Sequence, residues 1–178
     1  MSDEARADDR AAELRRAFDR SFAEAPAAGG AAPESVLAVR ICDDPYAFRA
    51  AEVVALHRDL TVSPYVAGVA RALLGLAVFR GVPVPVYDLG ELFGAPPGAA
   101  PRWAVLARAP SLVALAFERF EAHALVGPEH LVAAPPGARA GALVRGGVIV
   151  GGALRPLVHV ASVVDAIGRR ARPPGEEP

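Results

Sequence analysis

The side chains that could bind a metal ion or act as a nucleophile are few and scattered along the chain. There are four histidines and a single cysteine: His57, His123, His130, His159 and Cys42. They form no HExxH pair, and one cysteine cannot complete a cysteine-rich zinc site. Gly127-Pro128 lies between His123 and His130 and breaks any helix that would align their rings. We therefore expect no metal and no cofactor.

Other catalytic patterns are equally absent from the sequence. The serines Ser63, Ser111 and Ser162 lack the Gly-x-Ser-x-Gly elbow of a hydrolase. Gly146-Gly147 and Gly151-Gly152 are not followed by a helix start with phosphate-loop spacing, so they indicate tight turns or bulges. The chain contains no lysine, which excludes Schiff-base catalysis and the phosphate-binding lysine of a P-loop. We expect no enzymatic activity.

Composition limits the class of partner and the compartment. The 178 residues are 53% hydrophobic and carry a net charge of −1, so we expect a folded core and no affinity for nucleic acid. The N-terminus lacks the features of a signal peptide, and Arg71 interrupts the longest apolar run, 66–79, so direct membrane insertion is not expected. One cysteine fits a reducing compartment. Cytoplasmic localisation follows as the expectation.

The N-terminal part has the pattern of an amphipathic helix. Within residues 1–24, Leu14, Phe18 and Phe22 recur at helical spacing among charged residues, and Ala25 to Pro33 has the composition of a linker. We predict that 1–33 form this helix and linker, that 34–170 form the main domain, and that 171–178 are a disordered tail. The helix could pack on its own domain, Leu14, Phe18 and Phe22 could dock a partner, or the segment could be disordered.

From Val36 onward the pattern is that of short β-strands. Runs 36–41 and 46–49 flank Asp43-Asp44-Pro45, and runs 76–79 and 82–87 flank Arg80-Gly81, so each pair predicts a hairpin. Pro83 and Pro85 cannot donate ladder hydrogen bonds, which places the second of these strands at an edge or a bulge. Asp88 is positioned to cap a short helix, with Glu91 three residues later in capping-box position and Gly94 at its end.

The same order of elements begins again after residue 98. Trp103 follows Val36 by 67 residues, Pro156 follows Pro85 by 71, and strands followed by a short helix recur in both halves. This spacing predicts a duplicated β unit, roughly 36–94 and 103–168. Units of this size bury too little surface alone, so we expect them to share an interface. The groove between them is then a candidate binding surface.

The stretch from Gly75 to Leu89, closed by Leu92-Phe93-Gly94, resembles the central signature of the CheW-like chemotaxis coupling family. That signature is a glycine, an Asn-Leu-Arg-Gly turn, a Pro-Val strand, an Asp-Leu helix start and a final glycine. The resemblance implies a mainly β fold of two small five-stranded β-barrels and a non-enzymatic adaptor. It implies as partners a CheA-type histidine kinase regulatory domain, a methyl-accepting chemoreceptor cytoplasmic tip and other CheW-like modules. Its implied contact residues are Arg80, Gly81, Phe79, Val54 and Leu56.

Departures from the signature leave other functions open. Val78 stands where the family has Asn and Phe79 where it has Leu, so the chain could bind only one of these partners or recruit a motility or polarity protein instead. Arg80 could tie down Asp88 or a carbonyl rather than contact a partner. A third class is a regulatory barrel for a small molecule, in which an apolar pocket is lined by Trp103, Phe117 and Phe120.

Overall fold

The computed structural model describes residues 32–64, 72–96, 99–107, 112–133 and 141–171. The predicted N-terminal helix, with Leu14, Phe18 and Phe22, lies outside these residues, as does nearly all of the predicted tail. The strands are β1 (Glu34–Ile41), β2 (Asp44–Arg49), β3 (Val53–Arg58), β4 (Ser63–Pro64), β5 (Leu73–Phe79), β6 (Val82–Asp88), β7 (Trp103–Ala107), β8 (Ala114–Phe117), β9 (Arg119–Val126), β10 (Leu131–Val132), β11 (Val144–Val150) and β12 (Ala153–Val158). The helices are α1 (Leu89–Leu92) and α2 (Val160–Ala171). The mainly β class is confirmed.

The first hairpin forms as predicted, but its turn begins one residue earlier than expected and is one residue shorter. β1 and β2 pair antiparallel and end at Ile41 opposite Asp44, so the turn residues are Cys42 and Asp43, with φ of 51° and 63°. A two-residue turn with both φ angles positive matches the right-handed twist of the flanking strands. Pro45 is accommodated inside β2, opposite Arg40.

The hairpin of β5 and β6 has the same turn geometry. Arg80 and Gly81 have φ of 48° and 82°, and Phe79 pairs with Val82 on either side of them. β6 also pairs in parallel with β8, but only through 86–88. The part of β6 that carries Pro83 and Pro85 therefore has no strand on that side among the described residues. The expected edge position is confirmed for this half of the strand.

The strands form two six-stranded sheets, not the five-stranded units expected from the resemblance. The first sheet has the order β10-β11-β12-β2-β1-β9 and the second has the order β3-β7-β8-β6-β5-β4. The extra strand in each is the two-residue β10 or β4. The pairings give each sheet two end strands, and closure into barrels stays a prediction.

The two sheets share one topology, which supports the duplication but changes its boundaries. Advancing each strand number by six, with return to β1 after β12, converts the second sheet's order into the first sheet's order. The hairpin of β1 and β2 therefore lies in the first sheet with β9 to β12, and that of β7 and β8 lies in the second sheet with β3 to β6. The segments 36–94 and 103–168 exchange hairpins and do not form separate sheets.

The main core lies between the two sheets. It includes Val39 and Phe48 of the first sheet, Val105 and Phe117 of the second, and the inner faces of both helices. The Phe48 and Phe117 rings pack with centroids 6.0 Å apart. Two smaller clusters form separately, one among residues of the second sheet and one among residues of the first. None of the helices in the described part of the chain is both long and apolar enough to cross a membrane.

Candidate protein-interaction surface

The outer side of the β5–β6 hairpin is an exposed apolar face. Along β5, the buried residues Gly75, Ala77 and Phe79 alternate with Leu76 and Val78, which are 40% and 69% exposed. Val78 lies opposite Pro83, and Leu76 lies opposite Pro85. We define Leu76, Val78, Pro83 and Pro85 as the hairpin face. Contiguous apolar residues exposed together on a soluble domain typically mark an interaction site.

The tip of this hairpin extends beyond both neighbouring strands. β4 pairs with β5 only at Gly75 and Leu76, and β8 pairs with β6 only from Val86 onward. From Ala77 to Pro85 the hairpin is therefore a two-stranded ribbon within the part of the chain that the structure describes. Its unpaired backbone groups and apolar side chains are available together, which is the condition under which a strand edge binds another chain.

The turn at the tip presents the guanidinium of Arg80. Arg80 and Gly81 are exposed, and Arg80 makes no hydrogen bond or ion pair with any described residue. Asp88, which could have held it, accepts from the Gly90 N–H at 2.7 Å and caps α1. Burial raises the pKa of the Asp88 carboxyl, an effect that the Gly90 hydrogen bond partly offsets. The structure therefore does not tie Arg80 to Asp88.

Two of the five expected contact residues face a core. Phe79 is 8% exposed, belongs to the core of the second sheet and contacts His57 edge to face, with ring centroids 4.7 Å apart. Leu56 packs against the main core. Val54 is 49% exposed because it is the extra residue of a β-bulge, between Val53 opposite Ala107 and Ala55 opposite Leu106. Arg80, Gly81 and Val54 remain available to a partner.

A groove of about 340 Å³ lies beside the hairpin face. One wall is Leu76, Ala77 and Val78, and the other is the segment 57–63. Arg58 and Arg102 both pair with Asp59 at its rim, at 3.4 and 3.0 Å. Two cations therefore share one carboxylate, so the rim carries a positive excess.

Three aromatic residues do not form the apolar pocket expected for a small-molecule barrel. Phe117 is 1% exposed and packs in the main core. The Trp103 ring packs at a tilt of 46° against Phe120, with ring centroids 5.4 Å apart, and the Arg58 guanidinium lies over the Trp103 ring, 5.5 Å from its centroid. The three rings are engaged by other side chains, so the observation that motivated this alternative is lost.

A small cavity of about 120 Å³ near the start of α1 is lined by acidic side chains. Asp88, Glu91 and Glu118 contribute to its wall beside Cys42. Glu118 accepts from the Asp43 N–H at 3.1 Å, and the Cys42 sulfur packs against Gly90. The first contact holds the Cys42-Asp43 turn against the connection between β8 and β9, and the second holds it against α1. The described residues contain no cluster of three or more side chains arranged to hold a metal ion.

The four residues of the hairpin face were not among the contact residues expected from the sequence, although a signal for them was present. Gly75-Leu76-Ala77-Val78 alternates small residues with large ones, and Pro83 and Pro85 repeat at the same spacing on the next strand. In a half-buried strand, large apolar residues normally occupy the inward positions. Here the small residues face inward, and the large ones form the outer face.

Comparisons with known proteins agree with this architecture. The family model described as "CheW-like domain" matches residues 35–168. The crystal structure of the scaffolding protein TtCheW from Thermoanaerobacter tengcongensis is similar, with a TM-score of 0.66 and 14% sequence identity. The alignment covers 74% of this chain and 92% of that one. A search of curated proteins finds no match.

Proposed function

Because the chain belongs to the CheW-like domain family, we propose that it is a non-enzymatic scaffold of bacterial chemosensory signalling that couples chemoreceptors to a CheA-type histidine kinase. The observation that carries this proposal is the hairpin face, with its apolar side chains exposed beside the Arg80-Gly81 turn. Apolar side chains exposed together in this way typically mark a protein-interaction site, which is consistent with a scaffold.

The hairpin face has the composition of a protein interface. Its centre is apolar, and an arginine without a partner among the described residues stands at its margin. Interfaces commonly combine an apolar centre with a polar rim, and arginine is enriched at their energetic centres. We assign this face to the regulatory domain of the kinase, with Arg80, Gly81 and Val54 as contact residues.

The other partners of this proposal come from family membership. They are the cytoplasmic tip of a chemoreceptor, expected in the groove between the sheets, and further CheW-like modules. Since these partners meet beneath the membrane, we propose a cytoplasmic location. The exchanged hairpins and the shared core hold the two sheets together, which would let the chain bind two partners in a fixed geometry.

Titration calorimetry with purified host proteins tests the function. The full chain is titrated separately with the kinase regulatory domain and with a soluble receptor-tip fragment. We expect saturable binding to both. Binding to only one would support a divergent member that retains a single partner, and absence of binding to either would refute the scaffold role.

The N-terminal segment requires a separate experiment. We propose that Leu14, Phe18 and Phe22 form a docking face of an N-terminal helix that recruits an additional motility or polarity protein. Pull-downs from host lysate would compare the full chain with a chain that starts at Glu34. A protein retained only by the full chain supports recruitment, and identical sets of retained proteins would exclude it.

A further inference from the structure

A second surface feature lies on the helices, away from the β5–β6 hairpin. The end of α1, the 3₁₀ turn Gly141–Leu143 and the last turns of α2 surround an open depression of about 300 Å³. The apolar residues that line it are Leu92, Phe93, Ala142, Leu143 and Ala166. Four of these five, all but Ala142, belong to the main core, so the floor is rigid.

Arginines form the charged rim of this depression. Arg169 and Arg170 line it, and none of its described lining residues is acidic. Arg170 donates from Nη2 to the Leu92 carbonyl at 3.4 Å, which holds its guanidinium across the end of α1. Arg169 forms no ion pair within the described residues, including with Asp165 one turn earlier on α2. The rim therefore carries two positive charges without a counter-charge among the described residues.

Stability of α2 explains only part of this arrangement. Arginines in the last turn of a helix interact favourably with its dipole, whether or not apolar surface lies beside them. Here the guanidinium groups stand beside an apolar floor in which Ala142 is exposed and the four core residues are at most 9% exposed. A guanidinium binds a carboxylate through paired N–H donors, and apolar surroundings strengthen that attraction because they exclude water. The combination fits an apolar group flanked by negative charge.

We propose that this depression docks a segment of a partner protein that presents apolar side chains flanked by carboxylates. Small-molecule sites are concave and bury most of their ligand, whereas this depression is open along one side, which favours a protein segment. Acidic residues of that segment would pair with Arg169 and Arg170, and its apolar side chains would cover Leu143 and Ala166. The site lies on α1 and α2 and does not depend on the kinase-binding role of the hairpin.

Two short peptides of opposite charge test the proposal by NMR. Acetyl-Glu-Leu-Phe-Glu-amide and acetyl-Lys-Leu-Phe-Lys-amide carry the same apolar side chains. Each is titrated into the ¹⁵N-labelled full chain. We expect the acidic peptide alone to shift the amides of Phe93, Leu143 and Ala166, with a dissociation constant on the order of 1 mM, as short peptides typically give.

Variants of one rim residue make the test specific. Arg169→Gln should weaken binding of the acidic peptide about tenfold, and Arg169→Glu should transfer the preference to the basic peptide. Arg119→Glu makes the same charge change at an exposed residue of β9 and should leave both titrations unaltered. Equal shifts from both peptides, or no shifts, would overturn the proposal. Shifts that depend on protein concentration without peptide would assign the depression to a second copy and also overturn it.

Discussion

Arg155 and Glu121 form an ion pair of 2.7 Å, although their strands β12 and β9 are not neighbours in the first sheet. The other oxygen of Glu121 accepts from Arg40 on β1 at 2.6 Å. Glu121 reaches both because it is the unpaired residue where the register of β1 and β9 shifts. The Arg155 side chain is 11% exposed. Arg155 is the third residue after the turn between β11 and β12, and Val84 holds the same position after the turn between β5 and β6. An ionic cluster in the first sheet thus replaces an apolar residue of the second.

We predict that Glu121→Gln lowers the free energy of unfolding at pH 7 by about 1–3 kcal/mol, because it leaves a largely buried arginine without its counter-charge. The partial exposure of Arg40 keeps the loss below that of a fully buried pair. Urea unfolding followed by circular dichroism measures it. Glu118→Gln, a neighbouring carboxylate that makes one exposed hydrogen bond to Asp43, is the control and should change stability far less.

The same cluster predicts a dependence of stability on pH. The hydrogen bond from Arg40, with that from Arg155, holds the pKa of Glu121 below its ordinary value in the folded state, although burial opposes this. Its contribution is therefore complete above the ordinary carboxyl pKa and is lost as pH falls through the folded-state value. The stability difference between wild type and Glu121→Gln should shrink in this acid range. A constant difference between pH 7 and pH 3 would contradict the assignment.

Val78→Asp should weaken binding to the kinase regulatory domain at least tenfold, because it places a charge at the centre of the hairpin face. The stability of the fold should change by less than about 0.5 kcal/mol, since the side chain is mostly exposed. Leu125→Asp is the matched control: Leu125 is also 69% exposed but lies on β9 of the first sheet. Equal loss of affinity in both variants would show that the hairpin face has no special role.

Arg80→Gly separates the turn's conformation from its charge. A non-glycine residue at φ of 48° is strained, so glycine should maintain stability or raise it by up to about 1 kcal/mol. Loss of the guanidinium should nevertheless weaken kinase binding severalfold. Thermal unfolding and calorimetry on the same sample measure both effects. Unchanged affinity would assign Arg80 to the turn alone.

Gly75→Ala should destabilise the fold by about 2–4 kcal/mol. Gly75 has φ of 147°, and an added Cβ would overlap the Ser63 carbonyl on β4. Gly168→Ala is the control because Gly168 is an exposed helical residue with no atom near an added Cβ. That change should raise stability by about 0.5–1 kcal/mol. Denaturant midpoints that move in the same direction for both variants would contradict this account.

The local elements could be predicted from the sequence because residues near one another in the chain determine them. Arg80-Gly81 and Gly151-Gly152 specify two-residue turns, and Asp88 specifies the start of α1, where its side chain accepts from Gly90. The capping box was only partly predictable. The Glu91 side chain was expected to accept a hydrogen bond from the Asp88 N–H. That N–H donates instead to the carbonyl of Ala72, a residue outside the helix that the sequence did not place beside it.

The candidate site was predicted in part for the same reason. The turn residues Arg80 and Gly81 are exposed as expected, since a hairpin turn projects from its strands whatever packs beneath them. The inward orientation of Phe79 places its ring against His57 of β3, a contact between strands distant in sequence that periodicity alone could not predict. The depression rimmed by Arg169 and Arg170 could not be predicted from the sequence either, because 67 residues separate Leu92 at the end of α1 from Val160 at the start of α2.

By itself the sequence determined the β class, the hairpins, the capped helix, the duplication and the resemblance to the CheW-like family, since each depends on short-range patterns or repeated spacing. Tertiary structure alone decided that the halves exchange hairpins, and it placed Arg155 beside Glu121. Strand partners are chosen by shape and burial across the whole domain, and one bulge changes which side chains face inward. A basic residue on an alternating strand is predicted to be exposed, because its carboxylate partner lies far away in the sequence. Only the assembled sheets bring the two side chains together.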